Sequence, residues 1–415
     1  MRLVLIVPRF PRISETFIVN KVAGLFDAGW DIHVVCAKAS LEDWDKFPAL
    51  RARSVLRDRV HAQWSHEPSL LAILLWLPAF LSTLARAPRA TWNYWRVAWK
   101  RFGRRTFKQF YLDANIIALS PDILHFEFGA LAIGRTYLKQ ALDCCLSVSF
   151  RGYDLNYVGL DDPDYYAQLW SAVDGIHTLG DDLWRRAIRR GCPPATCHAI
   201  IPPAIDTVFF APGENGHRSG PVTLERPLRI LSVGRLEWKK GYEYALKAAQ
   251  LLAERGIPFE YRIIGDGDYL EPLAYLRHEL SRYVAGLEDR IQLLGGQPQV
   301  VVLEALNWAD AYLQPSVSEG FCNAVMEAQA MRLPVVCSDA DGLPENVADG
   351  LTGFVTPRRD AAALADKLAL LAGDVDLRLT MGAAGRRRVE ERFQLREQIA
   401  AFARFYRDMG ESRAR

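Results

Sequence analysis

The sequence predicts an α/β protein of two Rossmann-like, doubly wound domains facing each other across a cleft. Three observations predict it. A strand–loop–helix–strand pattern opens the chain, the same pattern restarts at Pro227, and Asp206 to Arg226, between them, has Pro, Gly, Asn and Ser but no periodicity. With 415 residues the chain is too long for one ordinary domain and comfortable for two.

Leu3 to Val7 is a short, wholly apolar run, as a strand buried on both faces requires. The loop from Pro8 to Ile13 ends at Ser14, a good helix N-cap, and Phe17, Val22, Leu25 and Phe26 continue as a helical stripe. Gly29 closes that helix, and Asp31 to Ala37 reads as the next strand. After the break, Leu228 to Val233 is a strand, Tyr242 to Arg255 a helix, and Phe259 to Ile264 a strand. Gly265-Asp266-Gly267 leads to another helix, and Ile291 to Leu294, Ala311 to Gln314 and Pro334 to Cys337 are further strands, with a helix from about Asn323. The expected division is an N-terminal domain over 1–206, a linker over 207–226, and a C-terminal domain over 227–394.

Half of the residues are hydrophobic and 24% charged, an ordinary globular composition. The net charge is only +2, but Pro68 to Leu112 contains no acidic residue and eight basic ones: Arg86, Arg89, Arg96, Lys100, Arg101, Arg104, Arg105 and Lys108. Seven cysteines at irregular spacings do not make a disulfide framework, and a reducing cytosol fits them best. Cys192, Cys197 and His198 lack a second ligand pair at zinc spacing, so no metal is expected. The first apolar run is too short for a signal peptide. Leu70 to Leu84, interrupted by Pro78, is shorter than the roughly 20 residues of a spanning helix.

Two segments of the C-terminal half carry chemistry. Gly234-Arg235-Leu236-Glu237-Trp238-Lys239-Lys240-Gly241 follows a strand and precedes a helix. Glycine there lets a ligand approach the backbone, and an arginine and a lysine at one mouth can clamp a diphosphate. Where that diphosphate is a leaving group, their charge stabilises the transition state. In Pro315-Ser316-Val317-Ser318-Glu319-Gly320-Phe321-Cys322-Asn323-Ala324-Val325-Met326-Glu327, Glu319 lies in a loop and Glu327 one turn inside the next helix. Backbone N–H groups from Gly320 to Asn323 lie between them at a helix start, a ready anion site. The two carboxylates can accept from sugar and ribose hydroxyls. A basic surface loop and a chance pair of surface glutamates are the plainer reading of either segment alone.

Together these segments resemble glycosyltransferase family 4, the group 1 retaining transferases of GT-B fold, in particular the bacterial exopolysaccharide and colanic-acid-type subgroup. The matching residues are Gly234-Arg235-Leu236 with Lys240-Gly241, Gly265-Asp266-Gly267, and Glu319 with Glu327. Pro315-Ser316, Pro334-Val335-Val336, Glu345 and Gly353-Phe354-Val355 flank them in the same way. The resemblance implies a nucleotide-diphosphate sugar as donor substrate and no cofactor. It gives Arg235, Lys240 and Glu319 to catalysis: the first two on the diphosphate, Glu319 on the donor sugar. Glu327 would bind the ribose, Gly234, Gly265, Gly320, Phe321, Cys322 and Asn323 would line the donor site, and Leu294 to Gln297 would meet the base. Cys322 and Arg332 stand where the family usually has glycine, which implies a more crowded pocket. The last helix, from about Leu395, would pack back on the N-terminal domain.

In the N-terminal half, Phe10 to Phe17 resembles a variant of the family's first loop, with Ser14, Glu15 and Thr16 placed to help bind donor phosphate. Ser14 as a plain cap is the alternative. Val148 to Asp154 resembles a segment that usually carries a histidine near the donor sugar; here Arg151 takes that place. Arginine cannot act as a base near neutral pH but can hold a hydroxyl or an anion. His125 is the nearest alternative imidazole, and with Glu127, Arg151 and Asp154 it forms the candidate acceptor or sugar set.

Trp92, Trp95, Trp99 and Phe102 repeat at helical spacing, with Arg96, Lys100, Arg104 and Lys108 on a neighbouring face. A basic helix with interfacial aromatics suits an anionic membrane surface; a buried helix pair with a solvated basic face is the alternative. The expected protein is therefore a cytoplasmic transferase, peripheral on the inner face of the plasma membrane. Its acceptor would be a saccharide linked to a polyprenyl diphosphate, and its product a cell-surface polysaccharide. A soluble transferase with a small-molecule acceptor and a non-catalytic nucleotide-sugar-binding protein are the rivals. No nucleic-acid motif is present.

Overall fold

The short apolar runs become the strands of two parallel sheets, each belonging to its own unit. The computed structural model describes residues 1–12, 15–62, 69–213 and 220–414, except the side chains of 69–74 and 412–414. One unit comprises 1–179, 183–201 and 396–415, and the other 180–182 and 202–395.

In the first unit the strands are β1 (Arg2–Phe10), β2 (Asp31–Ala39), β3 (Val60–Ala62), β4 (Ile123–Phe126), β5 (Cys145–Phe150), β6 (Gly175–Thr178) and β7 (His198–Ile200). They lie in the order β3-β2-β1-β4-β5-β6-β7, all parallel. Helix α1 (Thr16–Asp27) returns β1 to β2; α2 (Ser69–Arg86), α3 (Pro88–Phe102) and α4 (Thr106–Leu119) form a layer before β4, and α5 (Tyr137–Leu142) precedes β5. Every residue of β4, β5 and β6 is buried, including the polar His125, Ser147, Ser149, His177 and Thr178, as expected of parallel strands covered on both faces.

The second unit repeats the winding with β8 (Leu228–Val233), β9 (Phe259–Ile264), β10 (Ile291–Leu293), β11 (Ala311–Gln314), β12 (Val335–Ser338) and β13 (Gly353–Thr356), ordered β10-β9-β8-β11-β12-β13. Helix α6 (Tyr242–Glu254) follows β8, and α7 (Asn323–Ala330) follows β11. In both sheets the strand order reverses beside the first strand of the unit, between β1 and β4 and between β8 and β11. Loops leaving the carboxyl ends of those strands diverge and leave room for a ligand.

The last helix, α8 (Leu395–Ala414), belongs to the first unit from residue 396. Its Tyr406 ring meets Trp30 and His125 at 5.8 and 5.4 Å, and Phe402 meets His177 at 4.8 Å. Helix α1 admits it through Gly24, where a Cβ would run into Ile399. Residues expected as a linker lie on the second unit. Phe210 is buried in its core, and Arg386 donates to the carbonyls of Thr207 and Phe210 at 3.0 and 2.5 Å.

Three local expectations change. Helix α1 starts at Thr16 after Glu15, with no side-chain cap, and Ser14 lies outside the described residues. Pro78 does not break its segment: α2 runs through it, since neighbouring packing offsets one missing backbone donor. The aromatic stripe of α3 splits. Trp95 turns inward against Trp76, Phe107 and Phe110 at 5.8, 5.3 and 5.9 Å, while Trp92 and Trp99 remain exposed. Among the described residues no helix is long and apolar enough to cross a membrane.

Candidate active site

The loops at the carboxyl ends of β8, β9 and β11 are packed backbone to backbone. A Cβ at Gly265 would collide with the carbonyl oxygen of Gly234, and one at Gly241, whose φ is +65°, with that of Pro315. The amides of Val317 and Ser318 both donate to the Lys239 carbonyl, at 2.7 and 3.2 Å. This seam joins the loop after β8 to the loop after β11 and carries Lys240 to Glu319: Nζ donates to Oε2 at 2.5 Å, with both side chains largely buried. Burial opposes the charge on Lys240, but the Glu319 carboxylate outweighs it and holds the ammonium above its usual range. Arg235 stands at the mouth of the same loop, mostly exposed, with Nη1 2.7 Å from Glu237.

Glu319 is positioned by its own backbone. Its amide donates to Asp341 at 3.2 Å and its carbonyl accepts from Gly342 at 3.0 Å. Asp341 also accepts from the Ser318 hydroxyl and, at 3.2 Å, from Arg358. Cys322 is clamped by Asn346 on both sides of its peptide at 3.3 Å, and burial pushes its thiol up to about 12, so it stays protonated near neutral pH. Between them, among the described residues, the amides of Gly320 and Phe321 donate to no protein acceptor. Asn323 opens α7, and Glu327 sits one turn along it. Burial raises the Glu327 carboxyl to about 7, and no ion pair offsets it among the described residues. Two unclaimed amides, two cations and an uncompensated carboxylate within one loop cluster are groups that suit a ligand with anionic and hydroxyl groups.

In the first unit, the residues after β4 and β5 form a buried charged chain. Glu127 accepts from Lys21 of α1 at 2.6 Å and from Arg151 at 3.1 Å. Burial works against the Glu127 charge, but Lys21 and Arg151 together keep its carboxyl below the usual range. Burial lowers Lys21 to about 8 against the pull of Glu127, so at neutral pH both are charged. Lys21 Nζ also lies 3.3 Å from His125 Nε2 and 3.9 Å from the Phe402 ring centre. His125 bonds Ser147 and Ser149 at 2.8 and 2.9 Å, and Ser149 bonds His177 at 2.7 Å. Burial holds both imidazoles well below their ordinary values, hence neutral.

Three of the four expected acceptor residues are thus internal supports. His125, Glu127 and Asp154 have no solvent exposure. Asp154 spends its carboxylate on the amides of Ala130 and Arg151, each at 3.1 Å. Arg151 alone is partly exposed; it lies 3.9 Å from the Phe17 ring centre, and its Nε is buried without a partner. Glu15 points an unpartnered buried Oε2 from the loop after β1, while its Oε1 accepts from Arg12 at 2.9 Å; Thr16 is exposed. Lys21, Ser149 and His177 were missed by the sequence reading. A lysine between the apolar positions Ile18 and Val22, on the inward face of α1, was the available signal. Among the described residues no three His, Cys, Asp or Glu side chains converge as for a metal.

Residues 217–388 match the family described as "Glycosyl transferases group 1". The chain is 30% identical to the amylovoran biosynthesis glycosyltransferase AmsK of Erwinia amylovora, over 95% of this chain and 96% of that one. It is also 30% identical to the putative colanic acid biosynthesis glycosyltransferase WcaL of Salmonella typhimurium, over 87% and 88%. Among solved structures, Alr3699/HepE of Anabaena in complex with UDP superposes with a TM-score of 0.71 at 14% identity, over 98% of this chain and 99% of that one. Two Rossmann-like parallel-sheet units, the composition of the GT-B fold, and similarity along nearly the whole chain lead to one assignment: the protein belongs to the group 1 glycosyltransferases.

Proposed function

We propose that the chain is a retaining hexosyltransferase. It moves a sugar from a nucleotide-diphosphate donor to a saccharide acceptor on a polyprenyl-diphosphate carrier, in the synthesis of a cell-surface polysaccharide. The observation that carries this reading is the loop cluster of the second unit: Lys240 and Glu319 paired beside two unclaimed amides, with Glu327 half-buried and uncompensated. Related proteins support it. AmsK and WcaL are described as glycosyltransferases of amylovoran and colanic acid biosynthesis, and HepE has been seen with UDP and with UDP-glucose.

In this reading Arg235 and Lys240 receive the diphosphate, the amides of Gly320 and Phe321 assist, and Glu327 accepts from the ribose hydroxyls. The two cations supply the charge stabilisation that leaving-group departure needs, so the transfer requires no metal. Glu319 is committed to Lys240 and serves to orient the sugar, not to attack it. The acceptor oxygen then bonds to the anomeric carbon on the face from which the diphosphate oxygen leaves, and that leaving oxygen takes the acceptor proton. Arg151, partly exposed and with one N–H unpartnered, holds a sugar hydroxyl or acidic group. In the same reading the enzyme works as a peripheral protein on the cytoplasmic face of an anionic membrane, and the basic helix α3, with Trp92 and Trp99 exposed, supports this.

The test is transfer of labelled sugar from UDP- and GDP-sugars to lipid-linked saccharides extracted from polysaccharide-producing cells, with the anomeric configuration of the product read by NMR. An α-linked donor giving an α-linked product supports the proposal. An inverted product refutes the front-side mechanism, and donor binding with no transfer to any acceptor moves the non-catalytic reading forward.

A further inference from the structure

Away from the loops already described, helix α3 borders three adjoining cavities of about 830, 530 and 390 Å³. Arg96 lines all three. The largest lies between α3 and α5 and is reached by Lys100, Arg101, Lys139 and Asp143. Its further walls are the residues that lead into β5 and β6, Cys144 and Ser171-Ala172, and the second cavity is bordered by Ser120 to Asp122, which lead into β4. The cavities therefore sit at the amino edge of the sheet, whereas Arg151 and Glu127 sit at its carboxyl edge. At about 3.3 Å per residue, strands of four to six residues put the two edges roughly 13–20 Å apart. This is not the place where a sugar is transferred.

The cations here are held in place. Asn93 donates to the carbonyls of Gln140 and Ala141 at 3.2 and 3.0 Å, tying α3 to α5, and its own oxygen accepts from Arg96 at 2.7 Å. The Arg101 guanidinium lies 5.6 Å from the Tyr137 ring centre. Lys139 is spent on Asp174 at 2.6 Å. Arg96, Lys100 and Arg101 have no carboxylate within ion-pairing distance among the described residues; the acids on the cavity walls are Asp143 in the two larger cavities and Asp122 in the second. At its other end the smallest cavity is walled by Pro88, Arg89 and Trp92, and the Trp92 ring is 68% exposed. A pocket with several uncompensated cations on its floor and a bare indole at its lip matches a ligand with an anionic phosphodiester and an apolar tail.

We propose that these cavities form a discrete binding site for the phosphate headgroup of an anionic membrane phospholipid, with Arg96 and Lys100 on the phosphate and Trp92 against the acyl region. The inference rests on the peripheral membrane reading and deepens it. Diffuse attraction to a charged bilayer depends on the number of basic residues; a site depends on which ones.

The test compares two double variants of equal charge. Arg96→Gln/Lys100→Gln removes cations from the cavity, and Arg104→Gln/Arg105→Gln removes two exposed cations outside it. Binding is read by sedimentation with phosphatidylcholine vesicles, with and without phosphatidylglycerol. Calorimetry with soluble dihexanoyl-phosphatidylglycerol and with inorganic phosphate gives the site itself, and melting curves verify that both variants fold. The expected result is saturable binding of the short-chain lipid by wild type, weakened by at least roughly 10-fold in the cavity variant and by less than about 3-fold in the other, the two pairs carrying equal long-range charge. Equal losses in both variants overturn the site while leaving membrane attraction in place. Inorganic phosphate bound as well as the lipid overturns the lipid assignment. Wild type that ignores phosphatidylglycerol vesicles overturns the membrane reading and the site with it.

Discussion

Replacing Glu327 by glutamine separates what this carboxylate does for the ligand from what it does to the fold. Burial raises Glu327 from an ordinary 4.5 to about 7, with no ion pair in compensation among the described residues. A carboxyl whose folded pKa exceeds its unfolded one binds its proton more tightly in the folded state. Its contribution to stability is fully present below about pH 4.5, declines as pH rises to about 7, and is absent above. At about 1.4 kcal/mol per decade of affinity, the ionised side chain costs the fold about 3 kcal/mol above neutrality. Glu327→Gln stays neutral at every pH. The variant is therefore expected to melt with wild type at pH 4.5 and roughly 6–12 °C above it at pH 8, taking about 2–4 °C per kcal/mol for a domain of this size. It is also expected to lose nucleotide affinity, because an amide is a poorer acceptor for ribose hydroxyls than a carboxylate. Differential scanning calorimetry across this pH range, with UDP and GDP titrations at pH 8, checks both. A melting difference that does not change with pH would show that the carboxylate is solvated or paired in solution, and the reasoning from burial would fail.

Further outcomes follow from other residues. Arg235→Ala should leave the melting temperature unchanged, since its ion pair with Glu237 lies at an exposed guanidinium, yet weaken donor binding by about 10- to 100-fold in calorimetry, the value of a charge-assisted hydrogen bond. Lys21→Met should destabilise the first unit by about 3–5 kcal/mol in denaturant titrations, because Glu127 is left buried beside one cation instead of two; Lys21→Met with Glu127→Gln should recover part of that loss. Nucleotide affinity of wild type should rise with pH through about 7, since ribose hydroxyls favour ionised Glu327, and buffers of different ionisation enthalpy in calorimetry will report the released proton. Gly265→Ala forces a methyl group onto the Gly234 carbonyl and should cost about 1–3 kcal/mol together with nucleotide binding, read by melting and titration.

The strands of the second unit were legible almost to the residue, with β8, β9 and β11 at their expected bounds, because each is a short, mostly apolar segment closed by Gly or Pro. The pairing of Lys240 with Glu319 was legible only as two motifs. Their meeting depends on the amide seam at Lys239, and a backbone contact between distant loops leaves no pattern in a sequence. The chain from Lys21 to His177 was illegible for the same reason: it crosses α1, β4, β5 and β6, and no local period connects them. His125 and Asp154 looked like site residues because their types suit chemistry, whereas neutral imidazole and capping carboxylate serve equally well as buried polar supports. The tryptophans of α3 share a spacing but not a fate, since Trp95 faces α2 and α4 while Trp92 and Trp99 lie outside. The short edge strands β3 and β7 carry too few residues to show any period.

The most direct measurement is calorimetric titration of wild type, Arg235→Ala and Glu327→Ala with UDP, GDP and their sugars. Saturable binding of one nucleotide and its sugar by wild type, lost in both variants, is the predicted result, and it names the donor base. Variants that bind as tightly as wild type, or a wild type that binds no nucleotide, would contradict the assignment of the donor site to the loops after β8 and β11.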